Sequence, residues 1–484
     1  MSNVRFLRVL AGALFCFSAA ATSSAEPVGA LPGRLPFAWP SAQAANSFIG
    51  HRPLAVHPRG DSLLVALGSP LAWLEQKIAA DDGQSSDLFG FRTLVVGDTA
   101  FVSVPAPGPR AGSVCIYTRG PDGWTLSQRI SATPPAGTPP NWSDFFGWSL
   151  AVSGDRLLVG APEVFDPMNG PAGGAFLFTR GGDGQWMQTA TFLPSIPGTL
   201  DWYGEAVAMA GDTVLIGEQI YDRNGPESRG ATHVFNEVDG VWTETQTVEA
   251  SDGAQNDGRN FGGAIAASAD GATVVIGSPG PDWSSSGYPD GAAYVFSNSD
   301  GVLTETGKLE ASDTVAGNQF GFSVALDGTR LLVGAPASTI GSNVGQGAAY
   351  VFDATGGAFV QTQKLFDASG EMYDQFGQAV DLSGGLAVIG MWHHNDDLGG
   401  TQPPPKAGTV HVYDASGATW SPLSSLSASD APADEDNSFG WDVTVDGNTI
   451  LVGADSDSSV GMFQGSAYFY TRDTIFADSF DGAP

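Results

Sequence analysis

The sequence predicts an all-β fold, a seven-bladed β-propeller of four-stranded antiparallel blades, on three observations. An aromatic-glycine pair recurs seven times, with successive glycines 57, 57, 58, 59, 56 and 63 residues apart. The intervals contain short runs in which apolar and polar residues alternate, punctuated by Gly, Asp and Pro, which favours strands over helices. Four such runs fit in an interval, so one supersecondary unit is copied about seven times. The anchors are Phe89, Phe146, Tyr203, Phe261, Phe320, Phe376 and Phe439.

The unit that starts at Phe320 illustrates the four strands. FGFSVALDG is the first, TRLLVGAP the second, GAAYVFD the third, and FVQTQKLFDAS the fourth with the acidic loop after it. The first strands are small and apolar in most copies, as strands that crowd around a central channel should be. The fourth strands often carry a large aromatic, which we expect to pack against the neighbouring blade.

The ends of the repeat region predict that an N-terminal strand closes the ring. The last unit ends at GSAYFYTR and has no fourth strand, whereas Trp73–Ala80 reads as a fourth strand ahead of the first unit. Joining the two would leave no open sheet edge. A segment before it, SFIGHRPLAVHPRGDSLLVALGSP, resembles a copy of strands one and two. Eight blades are therefore the alternative to seven.

The termini predict an exported protein. Arg5 and Arg8 precede a short apolar segment and a run of small residues, so residues 1–25 are predicted to be a cleaved signal peptide. Residues 26–46 are then a linker, 47–472 the propeller and 473–484 a C-terminal tail. The expected location is secreted, at the cell surface or in the periplasm. Cleavage leaves Cys115 as the single cysteine, so no intramolecular disulfide is expected.

The charge balance restricts the partners. The chain has 20 Lys plus Arg against 52 Asp plus Glu, a formal net charge of −32. Phosphate contacts need a basic surface, so nucleic acid and anionic membrane are excluded as partners. The apolar part of the leader is too short to span a bilayer. A protein or glycan ligand is the expected partner, and the chain is expected to be a monomer.

With these motifs in hand, the chain resembles the FG-GAP repeats of integrin-alpha-like propellers, in particular the bacterial secreted branch. The resemblance covers roughly Ser47 to Arg472 and depends on Phe-Gly, Leu-Leu-Val-Gly-Ala-Pro and Gly-Ala-Ala-Tyr-Val-Phe. It implies an extracellular seven-bladed propeller for adhesion or ligand display, often with bound calcium. The turn between strands one and two departs from the family, because here it carries single acidic residues such as Asp155 or Asp212. Calcium takes six or more oxygens, so the family's usual calcium site is not expected.

One face of the ring is the predicted binding face. In each blade the short one–two and three–four turns lie on one side, the short-turn face. The long two–three and four–one loops lie on the other, the long-loop face, and recognition is often built on loops of a rigid scaffold. Tryptophans on these loops are predicted to stack on a sugar or a protein partner, or alternatively to fold back over their own blades. They are Trp142, Trp202, Trp283 and Trp392.

The four–one loops are acidic and predict a candidate calcium site. The richest loop carries Asp430, Asp434, Glu435 and Asp436, which we select as metal ligands. A solvated acidic loop without metal is the alternative. The other acidic loop residues are Asp81, Asp82, Asp87, Asp252, Asp257, Asp313, Asp367 and Asp374.

Function is therefore predicted to be non-catalytic. The leading hypothesis is a secreted or cell-surface binding or adhesion propeller that recognises a protein or glycan through the long-loop face. The sequence has no Gly-X-Ser-X-Gly, no His-Glu-X-X-His and no phosphate-cradling loop, and no catalytic residue is selected. The alternative is a secreted hydrolase of sugar or phosphate esters, which converging carboxylates with shifted pKa values in the central channel would indicate. A structural component without a saturable ligand is the third reading.

Overall fold

The computed structural model of the protein describes residues 73–472, except 107–110, 140–143, 169, 196–200, 220–229, 253–259, 281–290, 314–316, 393–407, 431–436 and 460–461. These residues form strands, turns and loops, and include no helix that could span a membrane. The first strand in chain order is β1 (Trp73–Ile78). Blade 1 contains β2 (Thr93–Val96), β3 (Thr99–Val104), β4 (Ser113–Gly120) and β5 (Gly123–Ile130). Blade 2 contains β6 (Ser149–Ser153), β7 (Arg156–Ala161), β10 (Gly174–Arg180) and β11 (Trp186–Phe192), and its loop carries the short hairpin β8 (Phe165–Asp166) and β9 (Gly170–Pro171). Blade 3 contains β12 (Tyr203–Ala210), β13 (Thr213–Glu218), β14 (Ala231–Val238) and β15 (Val241–Val248). Blade 4 contains β16 (Ala264–Ala267), β17 (Thr273–Ser278), β18 (Ala292–Ser299) and β19 (Val302–Leu309). Blade 5 contains β20 (Ser323–Asp327), β21 (Arg330–Ala335), β22 (Ala348–Thr355) and β23 (Ala358–Leu365). Blade 6 contains β24 (Val380–Ser383), β25 (Leu386–Met391), β26 (Thr409–Asp414) and β27 (Ser421–Leu426). Blade 7 contains β28 (Val443–Asp446), β29 (Thr449–Ala454) and β30 (Ser466–Arg472).

Seven four-stranded antiparallel sheets form the blades of the described chain, which confirms the predicted fold class. The predicted closure is also confirmed, because β1 is the fourth strand of blade 7. It pairs with β30 in a register that places Trp73 opposite Arg472 and Ile78 opposite Ala467. The segment that suggested an eighth blade lies outside the described residues.

The first strands of the blades surround a central channel. Strand one of each blade contacts strand one of the next, from β2 through β6, β12, β16, β20, β24 and β28 back to β2. The blades therefore form a closed ring, and the N-terminal ends of the first strands, where the aromatic-glycine pairs lie, point to the long-loop face.

The hydrophobic core lies between neighbouring blades. One cluster combines Val275 and Val295 of blade 4 with Phe320, Leu331 and Tyr350 of blade 5. The Phe320 ring is fully buried and lies edge-on to Tyr350, with ring centroids 5.5 Å apart. The outer aromatics behave as the sequence predicts, since Trp124 of blade 1 stacks on Phe469 of blade 7 at 4.4 Å. Each blade thus buries its apolar faces only against its neighbours.

Two glycines of the repeat bring adjacent blades into backbone contact. Gly377, the glycine of the sixth aromatic-glycine pair, has a φ of +92°, which L side chains rarely adopt. Its carbonyl oxygen lies against Gly334 in strand two of blade 5, where a Cβ atom would overlap it. The same relation holds between Gly204 and Gly160, and between Gly321 and Gly277. The Phe-Gly and Val-Gly elements of the motif are therefore the two halves of one contact between blades.

Candidate functional site

The two faces of the ring differ in the length of their loops, as the sequence predicts. The one–two turns contain two residues in most blades, such as Gly154-Asp155, Gly211-Asp212 and Gly328-Thr329. The two–three connections on the opposite face are longer and include 336–347 in blade 5 and 455–465 in blade 7. The long-loop face is therefore the irregular surface of the molecule.

Asp430, the first of the selected metal ligands, is engaged by a lysine and a tyrosine. Its Oδ2 accepts a hydrogen bond from Lys77 Nζ at 2.7 Å, and its Oδ1 accepts one from the Tyr468 hydroxyl at 2.9 Å. Lys77 Nζ also lies 2.7 Å from Oδ2 of Asp457, whose side chain is only 2% exposed. Asp434, Glu435 and Asp436 lie outside the described residues. Asp430 is therefore already bound by an ammonium group, which it shares with Asp457.

The same contact recurs in blades 4 and 5. Asp313 accepts hydrogen bonds from Lys364 Nζ at 2.6 Å and from the Tyr350 hydroxyl at 2.9 Å. Asp252 binds Lys308 and Tyr294 in the same way, at 2.7 and 2.6 Å. Burial opposes the charge of Lys364, but the contact with Asp313 outweighs it and raises the pKa of that lysine. Each of these carboxylates ties a four–one loop to strands three and four of the blade that follows it.

Other acidic residues of these loops are also held by the protein. Asp82 accepts a hydrogen bond from Arg129 at 2.5 Å. Asp87 and Asp374 are buried and accept hydrogen bonds from the backbone amides of Gln84 and Glu371. Within the part of the chain that the structure describes, no group of three or more His, Cys, Asp or Glu side chains could hold a metal ion. These carboxylates are therefore engaged either within their own loop or with the blade that follows it.

Replacing the lysine of this contact should lower the free energy of unfolding more on β1, the strand that closes the ring, than in blade 5. We expect Lys77→Met, which keeps an apolar side chain, to lower the free energy of unfolding by about 2 kcal/mol, because it leaves the buried Asp457 without its counter-ion. Lys364→Met removes a pair with the more exposed Asp313 and should cost only about 1 kcal/mol. Urea unfolding of the two variants checks this. Equal losses would show that Asp457 does not depend on Lys77.

Two of the four selected tryptophans lie in a buried aromatic cluster. Trp202 and Trp392 are 9% and 6% exposed and pack with Leu88, Phe91, Phe145, Trp148 and Trp441. The Trp148 and Trp202 ring centroids are 5.7 Å apart, and those of Trp392 and Trp441 are 4.7 Å apart. Trp142 and Trp283 lie outside the described residues. Trp202 and Trp392 thus pack against residues of other blades rather than back over their own, and as placed they offer no open ring face for stacking on a ligand.

This cluster, which we call the aromatic cluster, joins five blades rather than covering one. Phe91, Trp148 and Trp441 directly follow aromatic-glycine pairs, so they lie at the long-loop ends of the inner strands of blades 1, 2 and 7. An aromatic residue directly after an aromatic-glycine pair is the sequence signal that could have predicted this cluster, but these residues were not among the selected ones. The cluster fixes the long-loop end of the inner ring in these blades.

The central channel is a cavity of about 250 Å³ lined by the first strands of all seven blades. Small and apolar residues of the first strands form part of its wall, as the sequence predicts, but polar residues form a comparable part. The prediction misses four charged residues that also line it, namely Arg92, Glu205, Asp381 and Asp442.

Two of the channel carboxylates are committed to contacts between blades. Asp442 Oδ2 accepts hydrogen bonds from the Thr93 backbone amide at 2.6 Å and from its hydroxyl at 2.9 Å, and Oδ1 lies 3.4 Å from Arg92. Asp381 accepts hydrogen bonds from the amides of Val445 at 2.7 Å and Leu382 at 2.8 Å. Burial raises the pKa of Asp381 to about 6 and also raises that of Asp442, although Arg92 acts in the opposite direction on the latter.

Glu205 differs from these two. Its Oε2 is buried and has no hydrogen-bond partner among the described residues. Burial raises the pKa of Glu205 to about 8, against the lowering influence of Arg92, so the side chain is mainly protonated at neutral pH. In the other units the corresponding residue is aromatic, Gly or Gln, and this single departure from the repeat was the signal that could have identified it.

Comparison with known proteins supports the repeat assignment. A family model described as FG-GAP repeat matches residues 136–178, 186–235, 242–296, 303–352, 359–413 and 420–470. No curated protein matches the chain. Among solved structures, the β-propeller domain of Cps50 (Swd1) from Myceliophteria thermophila is similar, with a TM-score of 0.49 and 11% identity over 82% of this chain and 99% of that chain.

Proposed function

This chain belongs to the FG-GAP repeat family, and from that premise we propose that it is a secreted or cell-surface propeller that binds a protein or glycan through its long-loop face, without catalysis. The family and the fold indicate a binding or adhesion-type scaffold. The observation that carries the finer proposal is the asymmetry of the ring, with short regular turns on one face and long, varied loops on the other. Loops held by a rigid framework are the usual place for recognition.

The framework beneath the loops is locked by side-chain contacts between outer strands. Gln363 Nε2 donates to the Trp420 carbonyl at 3.0 Å, and the Trp420 amide donates to Gln363 Oε1 at 2.8 Å. Gln76 makes the same pair of bonds with Trp124, where the closing strand meets blade 1. Together with the contacts that Asp252, Asp313 and Asp430 make with a lysine and a tyrosine, these bonds support a scaffold whose blades keep their relative positions when the loops engage a partner.

The location and the assembly state belong to the same proposal. The first 25 residues have the features of a signal peptide, and the net charge of −32 favours solubility and disfavours phosphate-bearing partners. We expect the mature chain to act as a monomer outside the cytoplasm.

The proposal is tested by binding of the labelled, secreted mature protein to a glycan array and to a panel of immobilised extracellular-matrix proteins. We expect saturable binding to at least one of these probes. Trp142→Ala and Trp283→Ala should weaken it roughly tenfold or more, since aromatic anchors dominate such contacts. The matched controls Val241→Ala and Val302→Ala, exposed residues beside the three–four turns, should leave it unchanged. Absence of any saturable binding would favour the structural reading, and loss in the controls would contradict the choice of face.

One observation favours the hydrolase as a second candidate. Glu205 lies in the channel with a pKa near 8, a value suited to a general acid at neutral pH. Glycoside hydrolysis requires a second carboxylate, and both described candidates, Asp381 and Asp442, already bind backbone amides. Turnover of chromogenic glycosides or phosphate esters that disappears in Glu205→Gln would support the hydrolase. Rates at background would remove it.

A further inference from the structure

The central channel contains two polar atoms that the fold leaves unsatisfied. Thr444 is 8% exposed, and its Oγ1, like Oε2 of Glu205, has no hydrogen-bond partner in the described chain. Other hydroxyls in the channel are bonded, for example Ser149 Oγ to the Gly204 carbonyl and Ser323 Oγ to the Gly377 carbonyl, both at 2.9 Å. Buried polar groups are nearly always paired in proteins, so unpaired ones beside a cavity indicate a missing partner.

The charge around the cavity is unbalanced. Glu205 is mainly protonated, but the carboxyl groups of Asp381 and Asp442 still outnumber the one guanidinium group that lines the cavity, that of Arg92. Arg92 lies beside Asp442, and the further carboxylate of Asp446 also acts on Asp381. A positive group in the cavity would therefore be attracted by Asp381, and it would compensate the burial that keeps Glu205 protonated.

The walls and the size restrict the chemistry of such a group. Between the charged residues the channel wall is partly polar, and its apolar part includes Ile265 and Val324. Its volume of about 250 Å³ lies below the range of about 300–1,000 Å³ for sites of drug-sized ligands. A metal ion is not favoured, because the described residues include no chelating group of carboxylates or imidazoles.

We propose that the central channel binds a small organic cation, an alkylammonium whose head contacts Glu205 and whose short hydrocarbon chain lies against the apolar part of the wall. The ammonium donates hydrogen bonds to the Glu205 carboxylate, and the Thr444 hydroxyl is a second acceptor within the same cavity. Binding favours the ionised form of Glu205, so uptake of the cation at neutral pH releases a proton from that side chain. Glu205 lies at the long-loop end of the channel, but the site is formed by the first strands and not by the loops, so it does not depend on the function proposed for the loops.

Calorimetric titration of the mature chain with n-butylammonium chloride at pH 7 tests the proposal. We expect one saturable site, with a heat that changes between buffers of different ionisation enthalpy because a proton is released. n-Butanol, a neutral molecule of similar size, and potassium chloride should give no saturable signal. Glu205→Gln should weaken binding by roughly tenfold or more and abolish the buffer dependence, because the variant has no carboxylate to ionise.

The matched control separates a channel site from attraction to an acidic surface. Asp122→Asn removes one negative charge from an exposed three–four turn, so it reports whether the cation responds to surface charge alone. It should bind n-butylammonium like the unmodified protein. Thr444→Val keeps the shape of the channel and should weaken binding to a smaller extent than Glu205→Gln. Equal affinity in Glu205→Gln, equal loss in Asp122→Asn, or no saturable binding to the unmodified protein would overturn the proposal.

Discussion

Gly334→Ala should lower the free energy of unfolding by about 3 kcal/mol or more. The added Cβ atom would overlap the carbonyl oxygen of Gly377 in the next blade and the hydroxyl of Ser323 in its own. Gly377 is held in place by its amide, which donates to the Gly390 carbonyl at 3.0 Å. Because backbone lies on both sides of the contact, the blades have to separate to accommodate the methyl group.

A second glycine provides the matched control. Gly307 lies inside β19, and a Cβ atom added there would have nothing within 4 Å. Gly307→Ala should therefore leave stability unchanged or raise it by about 0.5–1 kcal/mol, since glycine inside a strand is unfavourable relative to alanine. Unfolding in urea, followed by tryptophan fluorescence, checks both variants. Similar losses in both would contradict the role assigned to the glycine contact between blades.

His233→Gln should lower the free energy of unfolding by about 3 kcal/mol at pH 6, with a loss that shrinks as the pH rises. His233 is buried in β14 between two carboxylates, with Nε2 2.8 Å from Glu218 and Nδ1 2.7 Å from Glu244. Burial alone would lower the pKa of His233, but the two hydrogen-bonded carboxylates outweigh it and raise the pKa from 6.5 to about 9. The imidazolium in turn lowers the pKa of Glu244.

The sign of the pH dependence follows from this raised pKa. The contribution of His233 is complete below pH 6.5, where the unfolded chain is also protonated, and it is lost as the pH rises to about 9. At about 1.4 kcal/mol per unit, the difference between the unmodified protein and His233→Gln should fall by roughly 3 kcal/mol across that window. Stability curves from pH 6 to 9.5 measure it.

His411 is the matched control, because it occupies the same position in strand three of blade 6. Burial lowers the pKa of His411, so the folded state favours its neutral form. The difference between the unmodified protein and His411→Gln should not fall between pH 6.5 and 9. A constant difference for His233→Gln in that window would contradict the charged cluster.

The sequence predicted the blades well because the same backbone requirement recurs in every unit. Gly377 needs a positive φ, and Gly334 has no room for a side chain. Both constraints are visible in the sequence as glycines at nearly fixed spacing in the repeat. The closing strand was predictable for a similar reason. The last unit lacks a fourth strand of its own, and the segment Trp73–Ala80 is a strand that belongs to no unit next to it in the sequence.

The site was harder to predict, since its contacts join residues far apart in the chain. Asp430 and Lys77 are 353 positions apart, so the acidic loop could be read as a calcium site without any sign of its counter-ion. The inward packing of Trp202 depends on Trp148 of another blade, which no local pattern reveals. In the channel, Glu205 appears as one departure from the repeat, and its unsatisfied oxygen follows only from the burial that the ring imposes.

The most direct test of partner binding through one face is hydroxyl-radical footprinting of the mature protein, free and saturated with the tightest probe found on the glycan and matrix panels. The account predicts protection on the long-loop face, including residues 162–173, 336–347 and 455–465, and unchanged reactivity at the short turns near Gly154, Gly211 and Gly328. Protection of the short turns with unchanged long loops would contradict it.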